Sequence, residues 1–448
     1  MTRGGDWCRT AVRLVASSIA LGALVLLGGA AQPAFAAVPP VPMVSGPVNG
    51  PGLPYPNPLV SIVPTAVKVE DFPYITEEYF VSGTARDAPY ATRMIVRRPK
   101  DPGSFSGVVV SEALHAGGRS LIFEWSRVSI LTRRHMFVEI VHSPANIGLL
   151  KTFNAERYAT LAIAAGQTNE IVAQFGMLMK SATGPFAAYR VRHITLMGTS
   201  ASSGTVRGYL VDHPNLRLAN GGPIFDGFLL TSTNGNTPLP IVDVPMIQMP
   251  TQTEVVTWAE MGIAYRRPDS DAPGNRFRLY EVAGMPHNNS RDSPAFLIDP
   301  CTLPVTDFPA GAFTALALNH LVDWIAKNKT PPHAPPIAVD QNPAGDGSHL
   351  ALDAFGNAKG GIRNVWVDVP IATYGVFGKG KTTATDRLCL LAGTKVPLPE
   401  ATLKTIHHST NEYASHVERR LTELISEGWF LPEYADAVRA DVKTTRVP

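Results

Sequence analysis

The stretch Arg192-His-Ile-Thr-Leu-Met-Gly-Thr-Ser-Ala-Ser-Ser-Gly204 constrains this chain more than any other. Ile194, Leu196 and Met197 make a short apolar run suited to a buried parallel strand, and Gly198 ends it. Thr205 to His213 then carries Val206, Leu210 and Val211 at helical spacing. A strand entering a helix through Gly198-Thr-Ser200-Ala-Ser202 predicts a sharp turn that presents Ser200, a nucleophile elbow. Such a turn has no room for large side chains two residues before or after the serine, and Gly198 and Ser202 meet both demands. Ser202 is the rival, flanked by Ser200 and Gly204, but it falls past the strand end, already in the helix. The bland alternative is a Ser-rich loop that caps a helix.

Residues 1–36 predict an export signal peptide. Arg3, Arg9 and Arg13 lead into an apolar run from Leu14 to Ala31, and Ala34-Phe-Ala36 supplies a cleavage site before Ala37. The run is near the lower edge of spanning length, so an uncleaved anchor competes; the Ala-x-Ala site and the small residues Gly28 to Ala31 favour removal. The expected destination is secretion or the cell envelope or periplasm, with no integral membrane span after cleavage. Removing Arg3, Arg9, Arg13 and Asp6 from 39 basic and 37 acidic residues leaves 36 of each. That neutrality argues against nucleic acid or an anionic membrane as the main partner. Cys8 leaves too, and Cys301 and Cys389 are expected to pair as a disulfide in an oxidising compartment.

The order of segments predicts one α/β domain. Val38 to Pro58, rich in Pro and Gly, reads as an extended leader. Strands are expected at Met94–Arg98, Gly107–Ser111, Met136–Val141, Phe225–Leu230, Val244–Met249 and Phe277–Ala283, with helices at Leu121–Leu131 and Asn169–Lys180. Strands alternating with helices imply a mostly parallel sheet flanked by helices. Residues 37–335 form the expected core. Thr330-Pro-Pro-His-Ala-Pro-Pro336 reads as the hinge to a helical C-terminal extension, 336–448, packed on the same domain, with helices near 399–427 and 432–442.

A serine nucleophile needs a base to take its proton and an acid to orient the base, and on scaffolds of this kind both follow the serine, acid first. Glu254 stands just past the strand ending near Met249, and His287 just past the next strand. Both loops open on the same sheet edge as the elbow, because parallel strands present their carboxyl ends together. Asp243 precedes its strand and Asp226 begins one, which makes them poorer acids; His115 and His142 also follow strands and compete with His287. Acyl transfer further requires N–H donors for the tetrahedral oxyanion. One is expected to be the amide of Ala201. The other is expected from Ala113-Leu-His-Ala-Gly-Gly118, as the amide of Leu114 or His115.

The elbow, Thr251-Gln-Thr-Glu-Val255 and Val282-Ala-Gly-Met-Pro-His287 resemble the exported bacterial α/β-hydrolase-domain serine esterases, whose elbow reads Gly-x-Ser-x-Ser. Gly356-Asn-Ala-Lys-Gly-Gly-Ile-Arg363, Val367 to Tyr374 and Gly428-Trp-Phe-Leu-Pro-Glu433 extend the resemblance from about Gly107 to Val438. It implies the α/β-hydrolase fold, serine-dependent hydrolysis of carboxylic esters, and a triad on Ser200, Glu254 and His287. Two departures bear on the substrate and the oxyanion loop: Ala201 stands where relatives commonly carry Gln, and Leu114 where they carry a polar residue.

The expected substrate is a small-molecule or lipid-like ester, with no cofactor and no metal. Acyl transfer on the same triad, or a non-catalytic exported binding protein on a hydrolase scaffold, are the alternatives. Gly375-Val-Phe-Gly-Lys-Gly-Lys-Thr382 matches a phosphate-loop pattern, but too little chain follows it to complete such a domain. Asn288-Asn-Ser290 fits a glycosylation sequon, yet a glycan there would block the site at His287.

Overall fold

Strands with no polar face must be covered on both sides, and the structure, a computed structural model, obeys that demand. It describes residues 37–56, 67–233, 237–260, 266–293, 295–339 and 350–448. The expected signal peptide and the last two residues of the leader lie outside the described residues.

The central sheet contains β1 (Met43–Ser45), β2 (Tyr74–Ala85), β3 (Ala88–Pro99), β4 (Val108–Ala113), β5 (Met136–Ile140), β6 (His193–Thr199), β7 (Gly227–Thr231), β8 (Met246–Met249) and β9 (Phe277–Leu279). Their order is β1-β2-β3-β5-β4-β6-β7-β8-β9. The six strands from β5 to β9 in that order run parallel, and β1 to β3 add antiparallel strands at one edge. The long β2–β3 hairpin turns at Arg86 and Asp87, both at positive φ, as a two-residue hairpin loop requires.

Around the sheet lie α1 (Leu121–Thr132), α2 (Pro144–Phe153), α3 (Thr168–Met179), α4 (Ala201–Asp212), α5 (Gln252–Glu260), α6 (Ala295–Ile298) and α7 (Ala310–Lys327). Alternation along the strands assigns each face its helices. Val108, Val110, Met197 and Leu229 pack with Phe123 of α1 and Phe313 and Leu316 of α7. Val109, Ile194, Leu196 and Phe228 pack on the other face with Val172 and Phe175 of α3 and Val206 and Tyr209 of α4. The leader is held by Arg157, whose guanidinium donates to the carbonyls of Val48 and Gly52.

The C-terminal stretch holds α8 (Val365–Asp368), the antiparallel pair β10 (Ala372–Gly375) and β11 (Thr394–Pro397), α9 (Thr383–Cys389), α10 (Glu400–His407), α11 (Thr410–Ser426) and α12 (Ala435–Thr444). The break between α10 and α11 comes from His408 at φ 49° and from Ser409, whose Oγ accepts from the Glu412 amide and starts a new helix. Leu421, Phe430, Tyr434 and Val438 join the core of α1 and α7. Tyr434 Oη donates to the Trp125 carbonyl and Ser129 Oγ to Glu433. These helices therefore pack beside the sheet, and among the described residues of this stretch only the segment around Leu391 reaches the cavity described below.

The proline-rich segment expected as a hinge is tied down. Arg278 and the Tyr280 hydroxyl donate to the carbonyls of Pro331 and Pro332. The phosphate-loop pattern starts at Gly375, the last residue of β10, which pairs antiparallel with β11, and ends at Thr382 just before the short α9; within it Gly380 N–H already donates to Asp386. No helix among the described residues is long and apolar enough to cross a membrane.

Cys301 and Cys389 form a disulfide that closes a sequence separation of 88 residues. Loop-closure entropy for that span is worth about 4.6 kcal/mol in the unfolded-chain account. Cys389→Ala is expected to lower the thermal midpoint by several degrees, and reductant should then cause no further loss. A midpoint equal to that of the oxidised wild type would show that the bond constrains nothing.

Candidate active site

Local chemistry builds the site from four strand ends. β6 stops at Thr199 and α4 starts at Ala201, so the chain reverses at Ser200 alone, held at φ 50° and ψ −119°. Strain of this kind costs on the order of 1–3 kcal/mol and persists only where neighbours enforce it. Ser200 N–H donates to the Thr231 carbonyl, and Ser203 Oγ–H donates back to the Ser200 carbonyl. A Cβ on Gly198 would stand 2.3 Å from the Ser202 carbonyl oxygen, so only glycine fits two residues before the serine. Ser202 is buried. Its Oγ accepts from the Thr199 amide and donates to the Thr199 carbonyl, which binds the rival serine to the turn rather than to the cavity.

Glu254 was expected in a loop; it lies instead in the first turn of α5, which begins three residues after β8 ends. Its Oε2 accepts from both the amide and the hydroxyl of Thr251, at 2.7 Å each. Thr251-Gln-Thr-Glu254 is a helix-start signature, Thr-x-x-Glu, and that reading of the sequence would have placed the carboxylate. The other oxygen, Oε1, is 2.5 Å from His287 Nδ1. A carboxylate only accepts, so Nδ1 carries the proton and Nε2 is left bare. Nε2 is 2.9 Å from Ser200 Oγ and accepts from it.

Thr253 and Gln252 support the same loop. The His287 amide donates to Thr253 Oγ1 at 3.1 Å, and the Gly284 amide to Gln252 Oε1 at 2.6 Å. Burial opposes a charge on His287, but the adjacent Glu254 carboxylate outweighs it through its charge and hydrogen bond, and the imidazole pKa is raised above its ordinary 6.5.

The competing residues are engaged elsewhere. Asp243 pairs with His213 and Arg217, Asp226 accepts from Lys180 and the Ile194 amide, and His142 Nε2 meets the Leu114 carbonyl.

The oxyanion donors need correction. Ala201 is the first residue of α4, where a helix leaves its N–H without an internal partner. The amides of Leu114 and His115, expected as the second donor, are both spent within the fold. Leu114 N–H continues the sheet ladder to the Ile140 carbonyl at 2.9 Å, and His115 N–H closes a turn on the Arg119 carbonyl at 3.1 Å. The ladder to β5 and the tight Gly117-Gly118 turn between them use up the amides that sequence position alone put forward.

Ser200, His287 and His115 open on a cavity of about 370 Å³. Its walls are largely apolar, from Leu121, Trp125, Met285, Phe296, Leu297 and Leu391. The cavity's flank carries the disulfide, since Phe296 and Leu297 precede Cys301 and Leu391 follows Cys389. Asn288, half of the sequon, also lines this cavity. Among the described residues no group of three or more His, Cys, Asp or Glu side chains could hold a metal ion.

A profile of the alpha/beta hydrolase domain family matches residues 44–440. The chain belongs to the alpha/beta hydrolase domain family. The mostly parallel central sheet, its flanking helices and the helical C-terminal region agree with that membership. No curated protein matches it. Among solved structures this α/β-hydrolase is similar to a prolyl endopeptidase (8% identity, 47% of this chain and 35% of that one, TM-score 0.27), of which it thus spans about a third. It is also similar to the poly(3-hydroxybutyrate) depolymerase LpqC from Bordetella parapertussis (10% identity, 60% and 97%, TM-score 0.32). A bacterial heroin esterase is a further likeness (8% identity, 50% and 78%, TM-score 0.30).

Proposed function

We propose that this α/β-hydrolase is an exported serine esterase that cleaves carboxylic esters through Ser200, His287 and Glu254. The observation that carries the reading is the continuous relay from Ser200 Oγ to His287 Nε2 at 2.9 Å and from His287 Nδ1 to Glu254 at 2.5 Å. Ser200 Oγ attacks the ester carbonyl while its proton passes to Nε2. The carbonyl π electrons move to oxygen, and the Ala201 amide stabilises that charge. The C–O bond to the alcohol then breaks, and the alcohol leaves with the proton from Nε2. Water repeats the sequence on the acyl-enzyme and releases the acid.

The apolar walls suit an uncharged aliphatic or aromatic ester, small or lipid-like. The disulfide is compatible with an extracellular site of action, and removal of residues 1–36 with secretion or retention in the envelope completes the proposal. In this reading 37–335 carries the chemistry and 336–448 supports it.

The test is labelling of the protein by a fluorophosphonate, with the modified peptide identified by mass spectrometry beside Ser200→Ala and Ser202→Ala. Labelling at Ser200, lost only in Ser200→Ala, is the expected result. A folded protein that takes no label would refute the esterase reading and favour a binding protein on this scaffold.

A further inference from the structure

We infer that the His115 imidazole, through Nε2–H, supplies the second hydrogen bond to the oxyanion in this site. The inference rests on the serine-hydrolase reading and adds a donor to it.

With the Leu114 and His115 amides committed, the loop after β4 still presents two polar side chains on the cavity wall that Ser200 and His287 share, the Arg119 guanidinium, which is paired with Glu124, and the His115 ring. Its orientation and tautomer are both set. Gly117 N–H donates to His115 Nδ1 at 3.0 Å, so Nδ1 is the acceptor and the neutral ring carries its hydrogen on Nε2. The turn that holds the ring is closed at both ends, by His115 N–H to the Arg119 carbonyl and by Gly118 N–H to the His115 carbonyl at 2.8 Å.

Burial, the nearby His287 ring and Arg119 push the His115 pKa down to about 4, which keeps the ring neutral at working pH. A neutral imidazole donates one hydrogen bond, and a positive ring there would disfavour the imidazolium that forms on His287 in each half-reaction. The substrate oxygen becomes a strong acceptor only in the tetrahedral state, so the bond acts on the barrier more than on binding. Two donors of different origin, the Ala201 amide and a side chain, then converge on one oxygen.

Substituted side chains separate this role from mere support of the turn. In His115→Asn the amide group sits where Nδ1 was and can still accept from Gly117, but nothing replaces the Nε2 donor. In His115→Gln the amide nitrogen reaches the Nε2 position, and the Gly117 acceptor is lost. On a p-nitrophenyl ester of a short aliphatic acid, His115→Asn is expected to lower kcat by roughly 10²-fold with KM within a few-fold. His115→Gln is expected to stay within roughly tenfold of the wild type.

If His115→Asn keeps the wild-type kcat, or His115→Gln falls as far as His115→Asn, the inference is overturned. Should His115→Asn fail to fold, His115→Met takes its place; a kcat for it equal to that of His115→Gln overturns the inference equally. A wild type that takes fluorophosphonate label but ignores the Asn change sinks the His115 role alone, whereas a wild type that neither labels nor turns over the ester sinks both.

Discussion

Ser200→Ala is expected to reduce ester turnover by roughly 10⁵–10⁶-fold, to what the cavity and the oxyanion donors sustain without a nucleophile. The size of the loss follows from the geometry. Ser200 Oγ is the hydroxyl bonded to His287 Nε2, while the neighbouring Ser202 Oγ is bound in both directions to the Thr199 backbone and Ser203 Oγ to the Ser200 carbonyl. The variant should remain folded, and alanine at φ 50° should cost little relative to the serine already held there. Ser202→Ala, by contrast, removes two bonds that close the elbow and is expected to lower stability by about 1 kcal/mol with turnover within a few-fold. The measurement is kcat on an activated ester with thermal melting alongside; equal losses from the two substitutions would mean that neither serine is the nucleophile.

Glu254→Gln is expected to lower kcat by roughly 10³–10⁴-fold and to move the pH dependence of kcat/KM towards acid. Both effects have the same origin. An amide can present its NH₂ to Nδ1, which shifts the imidazole proton to Nε2 and leaves no base for Ser200. The neutral imidazole is the active form, and in the wild type its pKa is raised, so kcat/KM should fall as pH drops through a midpoint above 6.5. In the variant the two raising contributions, the charge and the hydrogen bond of Glu254, are gone and burial remains, so the residual activity should persist to a midpoint below 6.5. A pH–rate profile of both proteins checks the sign. An unmoved midpoint would show that Glu254 does not set the charge state of His287.

The parallel strands were legible because β4 to β8 are buried on both faces and so read as apolar runs with few alternatives. β2 was not. Tyr74-Ile-Thr-Glu-Glu-Tyr-Phe-Val-Ser-Gly-Thr-Ala85 mixes buried and exposed residues irregularly, and its turn at Arg86-Asp87 lacks the Asn-Gly pair that marks such hairpins. The extension's helices were visible as periodic patterns, but their break depends on the backbone angle at His408 together with the Ser409 cap. Glu254 was located to the correct strand end by counting loops. Its place inside a helix was hidden by treating Thr251 to Glu254 as connection rather than as a helix start.

The sequence by itself determined the elbow, because strand, small residue, serine, small residue and helix are local demands satisfied within about ten residues. It also put Ser200, Glu254 and His287 in that order along the chain, each after its own strand. Tertiary structure alone decided which backbone amides remain free, because Leu114 N–H and His115 N–H are consumed by Ile140 and Arg119, partners fixed by β5 and by the turn. It decided as well that Leu391 shares a cavity wall with Phe296 and Leu297, which lie far from it in sequence but on the other side of the Cys301–Cys389 bond. Local bonding rules can be read from neighbouring residues; what a donor has left to give depends on every strand packed around it.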